Sequence, residues 1–426
     1  MFYYPTVVGP DTYGYYRSAV NLVKGNGYSN AEEPPFEPFF FREPVYSYFL
    51  ASGLHFYKFL GGEVEYFNSP SDKDIPESIP QSLIFLKIWQ ALFESLGLIF
   101  FFLLINYKLK FWASAIVSLL LAFYLPIAVF STYLIRESFI GFLFISMTYF
   151  ILLYIKRDKF YFLLVFSLLA AISILSFQVY KILPVFIFLY LYLITKKFWY
   201  SMKSTFYSGI IIIVLTLPWL IHVYQYYNDL RIVKTFGCSF THEMLSYNSS
   251  QRKAVYYGYL NADSTNFQWN LPSKIQFSRS FNSYYKTEAY SINRLVNEPV
   301  ISKRKTHLLF TNLRKTIFLT KNTHLSTKEV ISQSPLIYGT LLIVTTIMGL
   351  AGVIGVFFFY SRFFSISFPI FVHLPLFFII GSEYRRSLPM QGLLFFMAMV
   401  FIYYVYLTLI KKYDKFSFFK RIIRTE

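Results

Sequence analysis

Long apolar runs alternate with short polar clusters along most of the chain. Runs lie at about 82–105 (SLIFLKIWQALFESLGLIFFFLLI), 111–131 (FWASAIVSLLLAFYLPIAVFS), 138–155, 206–224, 335–359, 363–381 and 389–410. Each reaches or approaches the roughly 20 residues that cross a hydrocarbon core as a helix. Two shorter runs, at about 160–177 and 182–195, are separated by the polar break QVYK. The pattern therefore predicts nine transmembrane helices. Two long segments lack such runs, residues 1–81 and 225–333. Near the start, Tyr15, Tyr16, Ala19, Val20, Leu22 and Val23 recur at near-helical spacing until Gly25 and Gly27 end the run.

Composition agrees with a membrane protein. Hydrophobic residues make up 55%, aromatic residues 22% and charged residues 15%, with a mean hydropathy of +0.45. That balance does not fit an ordinary soluble globule. A net charge of +18 would point to nucleic acid in a soluble protein. Here the basic residues are divided among short interhelical loops, so no nucleic-acid partner is expected. The single cysteine, Cys238, excludes an intramolecular disulfide.

Charge also orients the bundle, because Lys and Arg gather in cytoplasmic loops. One set of loops, with the tail, carries fifteen basic residues: Lys108, Lys110, Lys156, Arg157, Lys159, Lys196, Lys197, Lys203, Arg362, Lys411, Lys412, Lys415, Lys420, Arg421 and Arg424. The short loops of the other set carry four: Arg136, Lys181, Arg385 and Arg386. The C-terminus is thus expected inside, with residues 1–81 and 225–333 outside. The layout has five parts: an exterior first loop with interfacial helices at 1–81, transmembrane helices at 82–224, an exterior cap at 225–333, further transmembrane helices at 334–410, and a basic cytoplasmic tail at 411–426. The tail suits an anionic lipid surface. The cap holds fifteen Lys or Arg against six acids, so it is free to bind an anion. An exterior start with no apolar leader implies that one further helix precedes this chain, giving ten spans with both ends inside.

On this topology Asp11 is an external acid at the head of an amphipathic helix. Local sequence leaves two roles open for it, helix N-cap or active acid. Wider motifs bear on the choice. DTYGYYRSAVNLVKGNGYS is followed by PPFEPFFFREPVYSYFLASGLHFY, with Asp11, Tyr15, Gly25-Asn26-Gly27-Tyr28 and Arg42-Glu43-Pro44-Val45-Tyr46 in order. FYLPIAVFSTYLIRESF supplies Pro126, Ser131 and Glu137, LTLPWLIHVYQYYND supplies Pro218 and Trp219, and GSEYRRSLPMQGLLFF supplies Tyr384, Arg385 and Pro389. In their order and sidedness these motifs resemble those of the GT-C membrane glycosyltransferases, the superfamily of protein O-mannosyltransferases and the lipid A aminoarabinose transferase. The sequence departs from that pattern in the central break, where Gln178-Val179-Tyr180-Lys181 stands in place of Arg-Pro, and in His222, which replaces an Arg after Pro-Trp.

The resemblance implies an all-α polytopic membrane protein, a GT-C-like helical bundle whose exterior loops form a small cap. It implies transfer of a sugar from a polyprenyl-phosphate donor, with inversion, to a glycan, lipid or protein acceptor at the outer face of a bacterial inner membrane. Such a reaction needs a carboxylate as general base and cations on the departing phosphate. The base expected from the resemblance is Asp11, with Glu137 as supporting acid and Glu43 behind it. Glu137 has a plainer reading as a surface pair with Arg136. Donor phosphate is expected on Arg385 and Arg386, which sit outside against the charge bias and suit bidentate contact, with Lys181 and Arg42 next. Anchoring to lipid headgroups is the plainer reading of the arginine pair. Tyr15, Tyr46 and Tyr384 fall on motif positions and are expected at the substrate. His55, His222 and His373 lack metal-ligand spacing, and His373 reads as a hydrogen-bonded interior residue. No residue cluster demands a cofactor or metal, although some members of the superfamily use a divalent cation. Two other classes compete: a polysaccharide polymerase or ligase, and a lipid-linked oligosaccharide flippase. A flippase would carry internal repeats and broken helices around buried charges, and no repeat is evident.

Overall fold

The computed structural model describes residues 12–39, 42–66, 80–124, 127, 134–227, 348, 351–352, 354–356, 359, 363–373 and 388–411. Nine long helices follow in chain order among them: α1 Thr12–Lys24, α2 Pro44–Phe59, α3 Gln81–Asn106, α4 Phe111–Ala122, α5 Arg136–Arg157, α6 Phe160–Ser176, α7 Leu183–Thr195, α8 Phe198–Tyr227 and α9 Leu388–Lys411. A 3₁₀ turn, Gln178–Ile182, joins α6 to α7. The described residues contain no β-strand, only an isolated bridge between Ser29 and Pro38. The all-α polytopic architecture read from the sequence stands.

Local chemistry explains the boundaries. Gly25 and Gly27 sit at φ 82° and 78°, a region that L side chains avoid, so the chain can reverse tightly after α1. Asn21 pins the returning loop by donating to the carbonyls of Ser29 and Ala31, each at 2.8 Å. Pro44 opens α2, where its fixed φ suits the first turn and its missing N–H removes no helical bond. The QVYK break is a tight turn rather than a gap, and Pro184 lies in the first turn of the helix that follows. Lys156 and Arg157 fill the last turn of α5, complementing the helix dipole.

Two helices differ from the hydrophobic runs. α8 begins at Phe198, ahead of the expected start at 206. Lys196, Lys197 and Lys203 read there as loop charges, yet Ser201 and Ser204 in that stretch, and Ser208 just inside the run, are all buried. Ser204 exchanges a 2.8 Å bond with the Tyr154 hydroxyl, and the Ser167 hydroxyl donates to Ser208 at 2.8 Å. Hydroxyl contacts of this kind stand in for apolar packing between membrane helices. α4 closes at Ala122, short of the run's end at 131.

The sequences Gln81–Asn106, Arg136–Arg157, Gln178–Thr195 and Phe198–Tyr226 are long and apolar enough to span a bilayer. α5 is the central one: 61% of its apolar window is buried, against 28% in α3 and in α8, whose outer faces are left for lipid. Three packed cores meet on it. One joins α5, α6, α7 and α8 with residues 368–372; a second joins α3, α4 and α9; a third holds α1 and α2 against the starts of α3 and α5. At 26 residues, α3 is about 39 Å long against a core of about 30 Å. Its first turns, at Leu83 and Leu86, are spent in the third core beside α1 and α2.

Candidate active site

The third core positions a group of charged side chains where the first loop meets the start of α5. Thr12 opens α1 and donates to the Leu134 carbonyl at 3.0 Å, fixing α1 beside α5. The Gly25–Gly27 reversal brings Tyr28 back beneath the segment before α2. There its hydroxyl donates to the carbonyls of Arg42 and Glu43 at 3.1 and 3.2 Å. Burial pushes the Tyr28 phenol well above its ordinary value, so it serves as a neutral donor. These contacts fix the backbone of Arg42 and Glu43.

The centre is an ion pair between Glu43 and Arg136, with Glu43 only 4% exposed. Arg136 Nε lies 4.0 Å from Glu137 Oε1, and Glu137 is also 4% exposed. The guanidinium lies over the Phe177 ring at 4.1 Å, and the Gln178 N–H donates to Glu43 Oε1 at 3.3 Å. Two carboxylates thus share one arginine, with the 3₁₀ turn closing the far side. Burying such groups is costly unless they are paired, and here Arg136 pairs with Glu43 and approaches Glu137.

Four of the site residues expected from the sequence sit in or around this group. Glu137 is buried in it, so the reading of a surface pair with Arg136 is corrected: the α1–α2 layer covers both residues. Arg42 runs past Gly14 and holds its guanidinium 5.5 Å from the Tyr15 ring. Lys181 is exposed on the turn that supplies Gln178. Glu43, ranked behind Glu137 in the sequence, is the acid that carries the main ion pair. Tyr15 and Tyr46 lie beneath, 1% and 0% exposed, with rings edge-on at 4.9 Å. The Tyr46 hydroxyl donates to Gln90 Oε1 at 2.5 Å. Burial, then neighbouring Tyr15, Glu94 and Glu137, push the Tyr46 phenol well above its ordinary value. Asp11, Tyr384, Arg385 and Arg386 lie outside the described residues.

Sequence reasoning passed over Arg136 and Gln90. Arg136 belongs to the basic-poor set of loops that the charge bias reads as outer, the same signal that selected Arg385 and Arg386. Gln90 falls between Lys87 and Glu94 on one helical face of an apolar run, a polar stripe visible from spacing alone. His373 is the interior residue expected: Nδ1–H donates to the Pro369 carbonyl at 2.7 Å, leaving Nε2 to accept from the Tyr180 hydroxyl at 2.8 Å. Among the described residues no three His, Cys, Asp or Glu side chains converge as a metal site would need.

Comparison with protein families and with curated proteins finds no match. Solved structures give low-identity likenesses. The chain is similar to the oligosaccharyltransferase of Archaeoglobus fulgidus in its apo form, at 13% identity and TM-score 0.49, covering 97% of this chain and 50% of that one. It is likewise similar to AglB from that organism in complex with an inhibitory peptide and a dolichol-phosphate, at 12% identity and TM-score 0.49, covering 97% and 49%. ArnT from Cupriavidus metallidurans in the apo state matches at 10% identity and TM-score 0.41, covering 94% and 75%. The chain spans about half the length of the archaeal chains.

Proposed function

We propose that this protein is a membrane glycosyltransferase that moves a sugar from a polyprenyl-phosphate donor to an acceptor at the outer face of the membrane. One observation carries the reading: motif residues from the first loop, Arg42 and Glu43, meet the Arg136–Glu137 pair and the Gln178–Ile182 turn in one buried, charge-dense group. Such a group suits a reaction in which charge develops on a departing phosphate, because fixed charges in a low-dielectric site stabilise it without reorganising.

The roles divide by position. Arg136 is committed to Glu43 and orders the site. Arg42 and Lys181 flank it and are the cations assigned to the donor phosphate, together with Arg385 and Arg386 from the late loop. Asp11, one residue before Thr12, is assigned as general base toward the acceptor hydroxyl, with Glu137 as the supporting acid. The outer face in question is that of a bacterial inner membrane, with the C-terminus inside.

Kinetics with a polyprenyl-phosphate sugar test this assignment. Arg42→Ala removes a charge-assisted phosphate contact, and we expect the donor KM to rise about tenfold or more. A variant that loses abundance but keeps wild-type donor kinetics would remove Arg42 from the phosphate site.

A further inference from the structure

The end of α2 presents apolar side chains that the bundle does not cover. Phe59 is 82% exposed, Leu60 60% and Phe56 44%. Their spacing, i, i+3 and i+4, puts them on one side of the helix, while the exposed His55 and Lys58 occupy the neighbouring side. The helix end is closed, not frayed. The Gly61 N–H donates to the Lys58 carbonyl and the Gly62 N–H to the Tyr57 carbonyl, each at 3.0 Å, with Gly61 at φ 87°. This pair of bonds is a Schellman stop, and it holds Phe59 and Leu60 in place.

The neighbours of this helix end give its depth. Glu43, just before α2, pairs with Arg136 at the start of α5. Phe56, near its close, packs against Phe85 and Trp89 of α3, with ring centres 6.2 and 5.8 Å apart. Gly53 permits that approach, because a Cβ there would come within 2.8 Å of Leu86 and Trp89. Both ends of α2 therefore meet the same end of the bundle, and the helix lies across it. Trp89 is eight residues into α3, about 12 Å along its axis, whereas α3 exceeds the hydrocarbon core by only about 9 Å. Even with the whole excess at this end, Trp89 is within the hydrocarbon, and Phe56 is beside it. Ile88, next to Trp89, and Leu92, one turn on, are exposed as well. The uncovered apolar surface thus runs from α2 onto the lipid-facing side of α3.

We infer that Phe56, Phe59 and Leu60 form a wedge inserted in the leaflet at this end of the bundle, so that the partner of this surface is the phospholipid bilayer itself. A lipid surface satisfies both sides of the helix end. Acyl chains cover the three apolar side chains, while His55 and Lys58 stand among the headgroups, with the Lys58 ammonium toward lipid phosphate. A soluble partner does not reach that depth, and water would leave a large aromatic side chain uncovered. The inference rests on the insertion of α3 alone; it holds for either orientation of the chain and does not depend on the transferase reading. It also sets a height, because anchoring one end of α2 holds the other, with Arg42 and Glu43, near the headgroup level.

The test puts a polarity-sensitive fluorophore on the full chain in lipid nanodiscs, which leave both faces of the bilayer open to solvent. In a Cys238→Ser background, Phe59→Cys and His55→Cys are labelled in turn with a nitrobenzoxadiazole probe. Both substitutions replace exposed side chains, so the fold tolerates them. The discs hold dioleoyl phosphatidylcholine or its analogue brominated along the acyl chains, and iodide is the aqueous quencher. We expect brominated lipid to quench the probe at position 59 at least about twofold more than at position 55, and iodide to show the reverse order. Equal quenching at the two positions, or preferential iodide quenching at position 59, would overturn the inference. Shielding of position 59 from both quenchers would overturn it too, because protein rather than lipid would then cover the surface.

Discussion

At the scale of single residues, the account turns on Glu43 and Arg136, which are distant in sequence and joined at the centre of the charged group. Removing one partner of a buried pair leaves the other charge without compensation, at a cost of about 3–5 kcal/mol. Glu43→Gln is therefore expected to lower stability by that order in thermal unfolding of the detergent-solubilised protein. The double variant Glu43→Gln with Arg136→Met removes that pair but leaves Glu137 without its arginine, so it should cost less than the sum of the two single variants while recovering only part of the loss. If the double variant is as unstable as the sum of the single ones, the two residues do not act as a pair. Part of this was legible in the sequence: Arg42, Glu43 and Glu137 stand out on motif positions, and Lys181 on its place in a break. The Glu43–Arg136 pairing was not, because no local pattern reports a contact between residues so far apart in the chain.

At the scale of elements, helix approach is set by where glycine stands. A Cβ on Gly352 would come within 2.7 Å of the Leu394 carbonyl oxygen, and one on Gly355 would run into the Met397 carbonyl. Small residues permit this close backbone approach between membrane helices. Gly355→Ala is expected to destabilise by about 1–3 kcal/mol, as overpacking does. Gly209 in α8 has open space around it. Gly209→Ala should be neutral or stabilising by up to about 1 kcal/mol, through helix propensity. Equal melting shifts for the two variants would contradict this account of the packing. Hydrophobic runs revealed the existence and type of α3 to α9, because length and apolarity suffice for that, while the runs at 335–359 and 363–381 lie largely outside the described residues. They placed the start of α8 too late, because the turns from Phe198 to Thr205 carry Lys203 and serines and so fall below the apolarity of the run that follows.

At the scale of the whole molecule, the proposed topology has residues 225–333 outside, and the chain's single cysteine lies among them. Cys238 should react with a membrane-impermeant maleimide in intact spheroplasts. Reaction only after permeabilisation would invert the orientation and put the charged group on the cytoplasmic side.

The central claim is transfer of sugar from a lipid phosphate with Asp11 as base, and it is tested most directly by release of label. Purified protein is incubated with radiolabelled polyprenyl-phosphate sugars and membrane lipids, wild type beside Asp11→Asn. The account predicts that label leaves the donor in the wild type and that the variant, equally folded, releases at least about a hundredfold less. Near-wild-type release by Asp11→Asn would contradict the role of Asp11. Translocation of a lipid-linked saccharide across liposomes, with no covalent product, would contradict the transferase itself.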